Sequence, residues 1–283
     1  MSGNITEHPQ LFRSIITALQ IKQAQLFICV FWRTNMKIFS PFRIIGLFIS
    51  TMLAAPIANS AINLDRTRVI FNENEQSTTV MLSNQNVENP FLAQSWLTDE
   101  NRNKISTPLL VLPALQRIEP KGHSLISLVK IGQLAHLPKD RESLFYLNVR
   151  EIPPKPEKAN VLQIAIQSEI KVFFRPQQIT PAKGEVWQNK LRITKSGKQL
   201  RIENPTPYYI TVSNILQQSK NTHQNPTRLL AGNAFMVSPR GSIDVDVTDN
   251  RANQFFLYYV NDFGGHIELP FTCTQNRCQP VTL

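Results

Sequence analysis

The sequence predicts an all-β protein made of two β-sandwich domains. Along most of its 283 residues, short apolar segments alternate with turn signals, and few stretches have a sustained helical period. Strands separated by turns at intervals of about 8–12 residues are typical of β-sandwiches and barrels. Pro176 and Pro181 bracket a short, stiff linker that divides the strands into two series. Each series holds about seven strands, enough for one immunoglobulin-like domain.

The first series lies in residues 61–177, which we predict to form the N-terminal immunoglobulin-like domain. Apolar segments predict its first strands at residues 69–71, 78–82, 92–97, 109–112 and 125–129. The turns between them are predicted from polar and glycine-containing stretches at residues 72–74, 83–86 and 121–122. Residues 140–151 are β-rich and precede a proline-containing loop, 152–160.

The second series lies in residues 178–283, the predicted C-terminal immunoglobulin-like domain. Its strands are predicted at residues 191–194, 200–203, 208–216, 234–237, 242–247, 255–260 and 267–272. Turns are predicted at residues 204–207 and 263–265, where proline or glycine interrupts the pattern.

One predicted strand is unusually long. Leu162, Ile164 and Ile166 alternate with polar or small residues, and the β-rich pattern continues to Phe174, where Pro176 ends it. This exceeds the usual strand length of about 5–6 residues. Such a strand is either buried in its own sandwich or offered to another chain.

Residues 36–60 have the features of a secretory signal peptide. Lys37 and Arg43 provide positive charge, residues 44–57 are apolar, and residues 58–60 have the small-x-small pattern that signal peptidase requires. We predict cleavage before Ala61. A transmembrane anchor is disfavoured because the apolar run is short and has no positive stop-transfer flank.

Residues 1–35 are interpreted as a mis-annotated N-terminal extension, with translation starting at Met36. The reason is that a signal peptide normally occupies the extreme N-terminus.

The remaining composition favours a binding protein over an enzyme. The formal charge is +10, but no dense run of lysine and arginine indicates a nucleic-acid partner. The sequence has no G-x-S-x-G, H-E-x-x-H or phosphate-loop motif, so we predict no enzymatic activity and no cofactor. A hydrolase on a β-sandwich stays an alternative, since a triad can be scattered along the sequence.

Two cysteines near the end of the chain, Cys273 and Cys278, have the spacing C-x4-C. In an exported protein, an oxidising compartment favours a disulfide between them. The alternative is a metal site with His266, but zinc requires about four ligands and only three candidates lie nearby. We therefore predict the disulfide and no metal.

Three motifs resemble the periplasmic pilus (fimbrial) chaperones of the PapD type: DRESLFYLNVREIPP at residues 140–154, KANVLQIAIQ at 158–167 and IKVFFRP at 170–176. The resemblance covers about residues 61–279. It implies two immunoglobulin-like domains set at an angle with an interdomain cleft. The short loop at residues 152–160 resembles the short-loop subclass that serves rod-like pili.

The resemblance also implies how a pilus subunit is bound. Arg68 and Lys171 match an arginine and a lysine that hold the subunit's C-terminal carboxylate in the cleft. Leu162, Ile164 and Ile166 match a strand that is donated to the subunit's incomplete sandwich. Lys171 has the opposite parity to these three residues, so we expect either a twist or bulge between them or a clamp and a donated face that point in different directions.

Glu142, Arg175 and Asp262 match a charged trio that the family places between its domains. The resemblance implies that these residues fix the angle of the cleft. As partners it implies pilus subunits and an outer-membrane usher, in the periplasm. The exposed strand makes weak self-association plausible. The alternative function is a structural pilus component or adhesin, although such a protein should carry an incomplete sandwich.

Overall fold

The computed structural model describes residues 60–281, except residues 133, 135, 157–159 and 223. The predicted extension, 1–35, and the predicted signal peptide apart from Ser60 lie outside the described residues. The described part consists of strands and loops, with two 3-10 turns at Gln177–Ile179 and Trp187–Lys190 and no α-helix. None of its helical segments is long and apolar enough to cross a membrane.

Ten of the described strands form the first β-sandwich. They are β1 (Ile62–Leu64), β2 (Arg68–Asn72), β3 (Ser77–Asn84), β4 (Phe91–Thr98), β5 (Lys104–Ile105), β6 (Leu109–Leu112), β7 (Leu115–Ile118), β8 (His123–Lys130), β9 (Ser143–Ile152) and β10 (Gln167–Arg175). One sheet has the order β1-β3-β8-β6, and the other β2-β10-β9-β4-β5 with β7 also paired to β4. Alternate apolar residues of both sheets, such as Leu82 and Phe174, pack into one core.

Eight further strands of the described chain form the second domain. They are β11 (Arg192–Ser196), β12 (Gln199–Glu203), β13 (Ile210–Leu216), β14 (Phe235–Val237), β15 (Ser242–Asp246), β16 (Gln254–Val260), β17 (His266–Thr274) and β18 (Arg277–Pro280). They form one sheet in the order β14-β13-β16-β17-β18-β11-β12-β15. Every strand contributes to a single core, so the sheet wraps around it.

The all-β prediction of two immunoglobulin-like sandwiches is confirmed. Each predicted strand segment overlaps an observed strand, and the differences are mostly of one or two residues at the ends. The sequence reading missed β1, β5, β7 and β18 because these strands have four residues or fewer and carry too little alternation to detect.

The predicted strand from Leu162 to Phe174 is wrong in its first half. β10 begins at Gln167, and residues 161–166 are irregular and exposed. β10 pairs antiparallel with β9 from Gln167 onwards and parallel with β2 from Lys171 onwards. Alternation of apolar and polar residues indicates a two-faced extended chain, but strand structure also needs a neighbour that provides hydrogen bonds.

The disulfide prediction is confirmed. Cys273 on β17 and Cys278 on β18 are directly opposite each other and are joined by a disulfide bond. Both cysteines lie in the second core, where the link closes the hairpin formed by the last two strands.

Candidate functional site

Arg68 and Lys171 are brought side by side by the pairing of β2 with β10. The two residues are direct partners in the parallel register. Their neighbours Val69 and Val172 face the first core, so the alternation of the strands directs both cations to the opposite face. Two fixed positive charges therefore lie on neighbouring strands, which are about 4.8 Å apart in a sheet.

The Arg68 guanidinium is buried and only partly satisfied. The residue is 8% exposed, and its Nη1 donates a hydrogen bond to the backbone oxygen of Val260 in the second domain, at 3.1 Å. Its Nε is buried and has no acceptor among the described residues. Burial lowers the pKa of Arg68, and the nearby carboxylates of Asp262 and Glu142 oppose that shift. An unpaired donor on a buried cation is unfavourable until an acceptor, ideally an anion, approaches it.

Lys171 is half-buried beside Arg68. Its Nζ lies 3.5 Å from the hydroxyl oxygen of Thr211 on β13. Burial lowers the pKa of Lys171, and the positive charges of Arg68 and Arg102 lower it further. Neither Arg68 nor Lys171 belongs to an ion pair within the part of the chain that the structure describes. The pair therefore favours an anionic ligand.

A pocket of about 480 Å³ adjoins Arg68. It is lined by residues of both domains: Asp65, Arg66, Arg68, Ile70, Asn72, Arg175, Asp262 and Phe263. Phe263 is almost fully exposed at its rim. The cleft thus offers a mixed polar and aromatic wall next to Arg68.

The structure brings Glu142, Arg175 and Asp262 together between the two domains. Arg175 Nη2 lies 2.7 Å from Glu142 Oε1, and its Nη1 lies 2.8 Å from Asp262 Oδ2. The backbone amide of Tyr209 donates to the second oxygen of Glu142 at 2.8 Å. The guanidinium also lies 5.3 Å from the ring centroid of Trp187. One buried arginine therefore connects the end of β10 to the loops that precede β13 and follow β16.

Apolar contacts support the same junction. Leu144, Tyr146 and Phe173 form a small buried cluster on the outer face of the first sandwich. Tyr209 and Met236 of the second domain pack against it. The interface next to the cations is therefore partly dry, which strengthens electrostatic interactions there.

Burial raises the pKa of Glu142 from about 4.5 to about 7, although Arg175 and the Tyr209 amide oppose the shift. Because the folded state holds this proton more tightly than the unfolded state, the stability from Glu142 is full below about pH 4.5 and declines as the pH rises towards about 7. We expect the difference in urea midpoint between wild type and Glu142→Gln to follow that decline. A difference that stays constant from pH 4.5 to 8 would contradict it.

Residues 161–166 directly precede β10 and expose their apolar side chains. Leu162 is 87% exposed, Ile164 69% and Ile166 36%. The backbone oxygen of Ile166 accepts a hydrogen bond from the amide of Glu151 at 3.0 Å. Within the described structure, residues 161–165 form no backbone–backbone hydrogen bond. Among the strands that the structure describes, β2 pairs with β10 only from Lys171, which leaves the edge of β10 from Gln167 to Ile170 without a neighbouring strand there.

The parity of Lys171 is explained by a regular β10. Its register with β9 runs without interruption from Gln167 to Phe174, so there is no bulge in this strand. Ile170, Val172 and Phe174 face the first core, and an extended continuation would place Leu162, Ile164 and Ile166 on that same face. In such a continuation Arg68 and Lys171 would point away from that face, as in the second of the two arrangements that the sequence left open.

Several contributors to the site had no signal in the sequence. The oxygen of Val260 and the amide of Tyr209 are backbone groups, which every residue possesses. Thr211 and Arg102 reach Lys171 only through tertiary structure.

Comparison with known proteins identifies two matching family models. Residues 61–180 match "Pili and flagellar-assembly chaperone, PapD N-terminal domain", and residues 186–271 match "Pili assembly chaperone PapD, C-terminal domain". Chaperone protein PmfD of Proteus mirabilis is 46% identical over 82% of this chain and 92% of the relative. Chaperone protein PapD of Escherichia coli is 44% identical over 78% of this chain and 90% of the relative.

Solved structures show the same similarity. The complex of the Salmonella enterica SafA pilin with the SafB chaperone matches 77% of this chain and 99% of the solved chain, with a TM-score of 0.64 and 25% identity. The CupB2 chaperone of Pseudomonas aeruginosa matches 75% of this chain and 100% of the solved chain, with a TM-score of 0.62 and 28% identity.

Proposed function

Because the chain belongs to the PapD family of pili-assembly chaperones, we propose that it holds pilus subunits through two separate contacts, a carboxylate clamp and a donated strand. The protein is a periplasmic fimbrial chaperone that binds pilus subunits by donor-strand complementation and delivers them to an outer-membrane usher. It is not an enzyme, and it is not a structural pilus component or adhesin.

Arg68 and Lys171 form the carboxylate clamp in this proposal. The subunit's C-terminal carboxylate supplies the anion that the adjacent cations favour and the acceptor that Arg68 Nε lacks among the described residues. Arginine can bind both carboxylate oxygens, whereas lysine acts as a point charge, so the two residues have complementary roles.

Leu162, Ile164 and Ile166 form the donated face. A subunit that lacks a strand has an apolar groove, and these exposed side chains at alternate positions fit such a groove. The edge of β10 from Gln167 to Ile170 supplies backbone donors and acceptors for pairing. One observation supports the proposal above all. Lys171 lies on β10 and Arg68 on the neighbouring β2, and the exposed apolar segment 161–166, which has almost no backbone partner, directly precedes β10.

Two further assignments belong to the proposal. We place the domain boundary between residues 177 and 178, which is supported by separate cores and by the packing of Ile179 on the second core. We also propose that residues 36–60 are the signal peptide, which is consistent with a family match that begins at residue 61. Residues 1–35 stay assigned to a mis-annotated extension, and weak self-association through the exposed segment stays a prediction.

Substitution of the donated face should strongly reduce capture without unfolding the chaperone. We expect Ile164→Asp to reduce the subunit recovered with the chaperone from periplasm by at least about tenfold, because a carboxylate would be buried in an apolar groove. The urea midpoint of the free chaperone should barely change, since Ile164 is 69% exposed.

The matched control for this variant is Ala165→Asp. It adds the same charge at the neighbouring exposed position, which has the opposite parity. Capture should be much less affected by this change. If both variants capture the subunit as well as wild type, the donated-face assignment is wrong.

A further inference from the structure

Glu151 on β9 is a buried carboxylate that has no role in the proposed clamp or donated face. The residue is 4% exposed. Three donors from the start of the described chain converge on its Oε2: the Ala61 amide at 2.8 Å, the Ile62 amide at 3.0 Å and the Ser60 hydroxyl at 2.9 Å. Within the described residues no cationic side chain forms an ion pair with it.

A buried ionised carboxylate is unfavourable unless it is paired or fully hydrogen-bonded. Backbone amides supply only part of that compensation. Of the three donors to Glu151 Oε2, the closest is the nitrogen of Ala61, the residue before which cleavage is predicted.

Cleavage changes the chemistry of that nitrogen. Hydrolysis of the Ser60–Ala61 peptide bond adds the water oxygen to the Ser60 carbonyl carbon and leaves a carboxylate on the departing leader. The Ala61 nitrogen keeps the electron pair of the broken bond and gains protons, becoming an α-ammonium group. The neutral donor at 2.8 Å from Glu151 becomes a cation at the same place.

We propose that Glu151 is the binding site for the α-ammonium group that signal-peptide removal creates at Ala61. The proposal goes beyond subunit binding and rests on the predicted cleavage position. A charge-assisted hydrogen bond of this kind is roughly twice as strong as one between neutral groups.

Neighbouring contacts hold the amino terminus in place for this ion pair. Ala61 and Ile62 are buried, and the amide of Gln85 donates to the Ala61 oxygen at 2.7 Å. β1 pairs with β3 from Ile62 onwards. The nitrogen of Ala61 is therefore aimed at Glu151 by structure on its carboxyl side, which is retained after cleavage.

The ion pair also links maturation to the donated segment. The amide of Glu151 itself donates to the oxygen of Ile166, the backbone contact at the base of residues 161–166. Anchoring the new amino terminus on Glu151 therefore restrains β9 at the residue whose amide holds the base of residues 161–166.

The test uses four periplasmic proteins: wild type, Glu151→Gln, a variant with Gly-Ser inserted between Ser60 and Ala61 and cleaved before the insertion, and the combination of both changes. Intact mass establishes the amino terminus of each. The pKa of the α-amine is measured by NMR titration, and urea midpoints are measured from pH 6 to 10. The insertion preserves the amide donors but moves the ammonium group away from Glu151.

We expect wild type to begin at Ala61 and its α-amine to titrate about one unit or more above the ordinary range of roughly 7.7–8.0. The stability that Glu151 supplies, relative to Glu151→Gln, should be full below the unfolded amine's pKa and fade as the pH rises through the raised folded value. In the background with the insertion, the effect of Glu151→Gln should lose that pH dependence.

Three outcomes would overturn the proposal: an amino terminus other than Ala61, an α-amine in the ordinary range, or an effect of Glu151→Gln that is equal in both backgrounds at every pH. None of these measurements involves a pilus subunit. Their failure is therefore separate from failure of the clamp or the donated strand.

Discussion

Lys171→Met should abolish subunit capture while stabilising the free chaperone. Removing one cation beside a partly buried carboxylate costs about 3–5 kcal/mol when the site is fully desolvated. Because Lys171 is only half-buried, we expect the lower end of that range, about a hundredfold in affinity. Calorimetry with a peptide from the C-terminus of a captured subunit measures this loss directly.

The gain in stability follows from the direction of the Lys171 pKa. Burial and the charge of Arg68 lower that pKa, so the folded chaperone binds this proton less tightly than the unfolded chain does. At neutral pH, below the ordinary lysine pKa, the charge of Lys171 therefore destabilises the folded state. Methionine retains the length and packing of the side chain without the charge, and the urea midpoint should rise.

Two controls make this prediction specific. Lys198→Met removes the same charge from an exposed turn of the second domain and should leave binding unchanged. A peptide with an amidated C-terminus should bind wild type about as weakly as the free-acid peptide binds Lys171→Met. The clamp is refuted if the acid and the amide bind wild type equally well.

Arg68→Lys separates charge from geometry at the same site. The substitution preserves the positive charge but loses the planar fork and the Nε donor that lacks an acceptor among the described residues. We expect weaker binding than wild type despite the retained charge. Equal affinity would indicate that Arg68 contributes only its charge.

The sequence predicted most strands because burial on one face imposes a two-residue period, as in the apolar Val80 and Leu82 of β3. The same two-residue period gave a wrong strand prediction at Leu162, Ile164 and Ile166. These residues alternate as a paired strand does, yet their side chains are exposed and their backbone lacks a neighbouring strand in the described chain. Periodicity reports which side of a strand is apolar, not whether the partner belongs to the same protein.

The site was predictable only in part for a related reason. Residue type alone gives Arg68 and Lys171 no distinction from other surface cations, and only the resemblance of the surrounding motifs selected them. Their direct pairing is a property of the parallel register between β2 and β10, which local sequence does not encode. The contact of Arg68 with the Val260 oxygen likewise depends on how the second domain packs against the first.

Arg175→Met should strongly destabilise the protein. At pH 8, where Glu142 with its pKa of about 7 is ionised, the change leaves this buried carboxylate and the partly buried Asp262 without their shared cation. The cost of such a loss is on the order of 3–5 kcal/mol. Because Arg175 connects the two domains, we expect their unfolding to become less cooperative. Urea denaturation followed separately by fluorescence and circular dichroism should give transitions that no longer coincide.

The matched control is Arg251→Met. Arg251 is also paired with a carboxylate, that of Asp249, but its side chain is 91% exposed. Solvent screens such a surface pair, so no measurable change in stability is expected. If both arginine variants lose similar stability, burial of the trio does not explain its contribution.

A further variant distinguishes uncompensated charge from lost packing. Combining Arg175→Met with Glu142→Gln and Asp262→Asn removes all three charges and retains approximate side-chain size. If the cost of Arg175→Met comes from unpaired carboxylates, the triple variant should recover much of the lost stability.

Subunit capture need not recover together with stability, because the clamp depends on how Val260 and Thr211 of the second domain approach Arg68 and Lys171. A stable triple variant that captures subunits poorly would show that the trio sets the geometry of the cleft. A stable triple variant that captures subunits as well as wild type would show that the trio contributes only to stability.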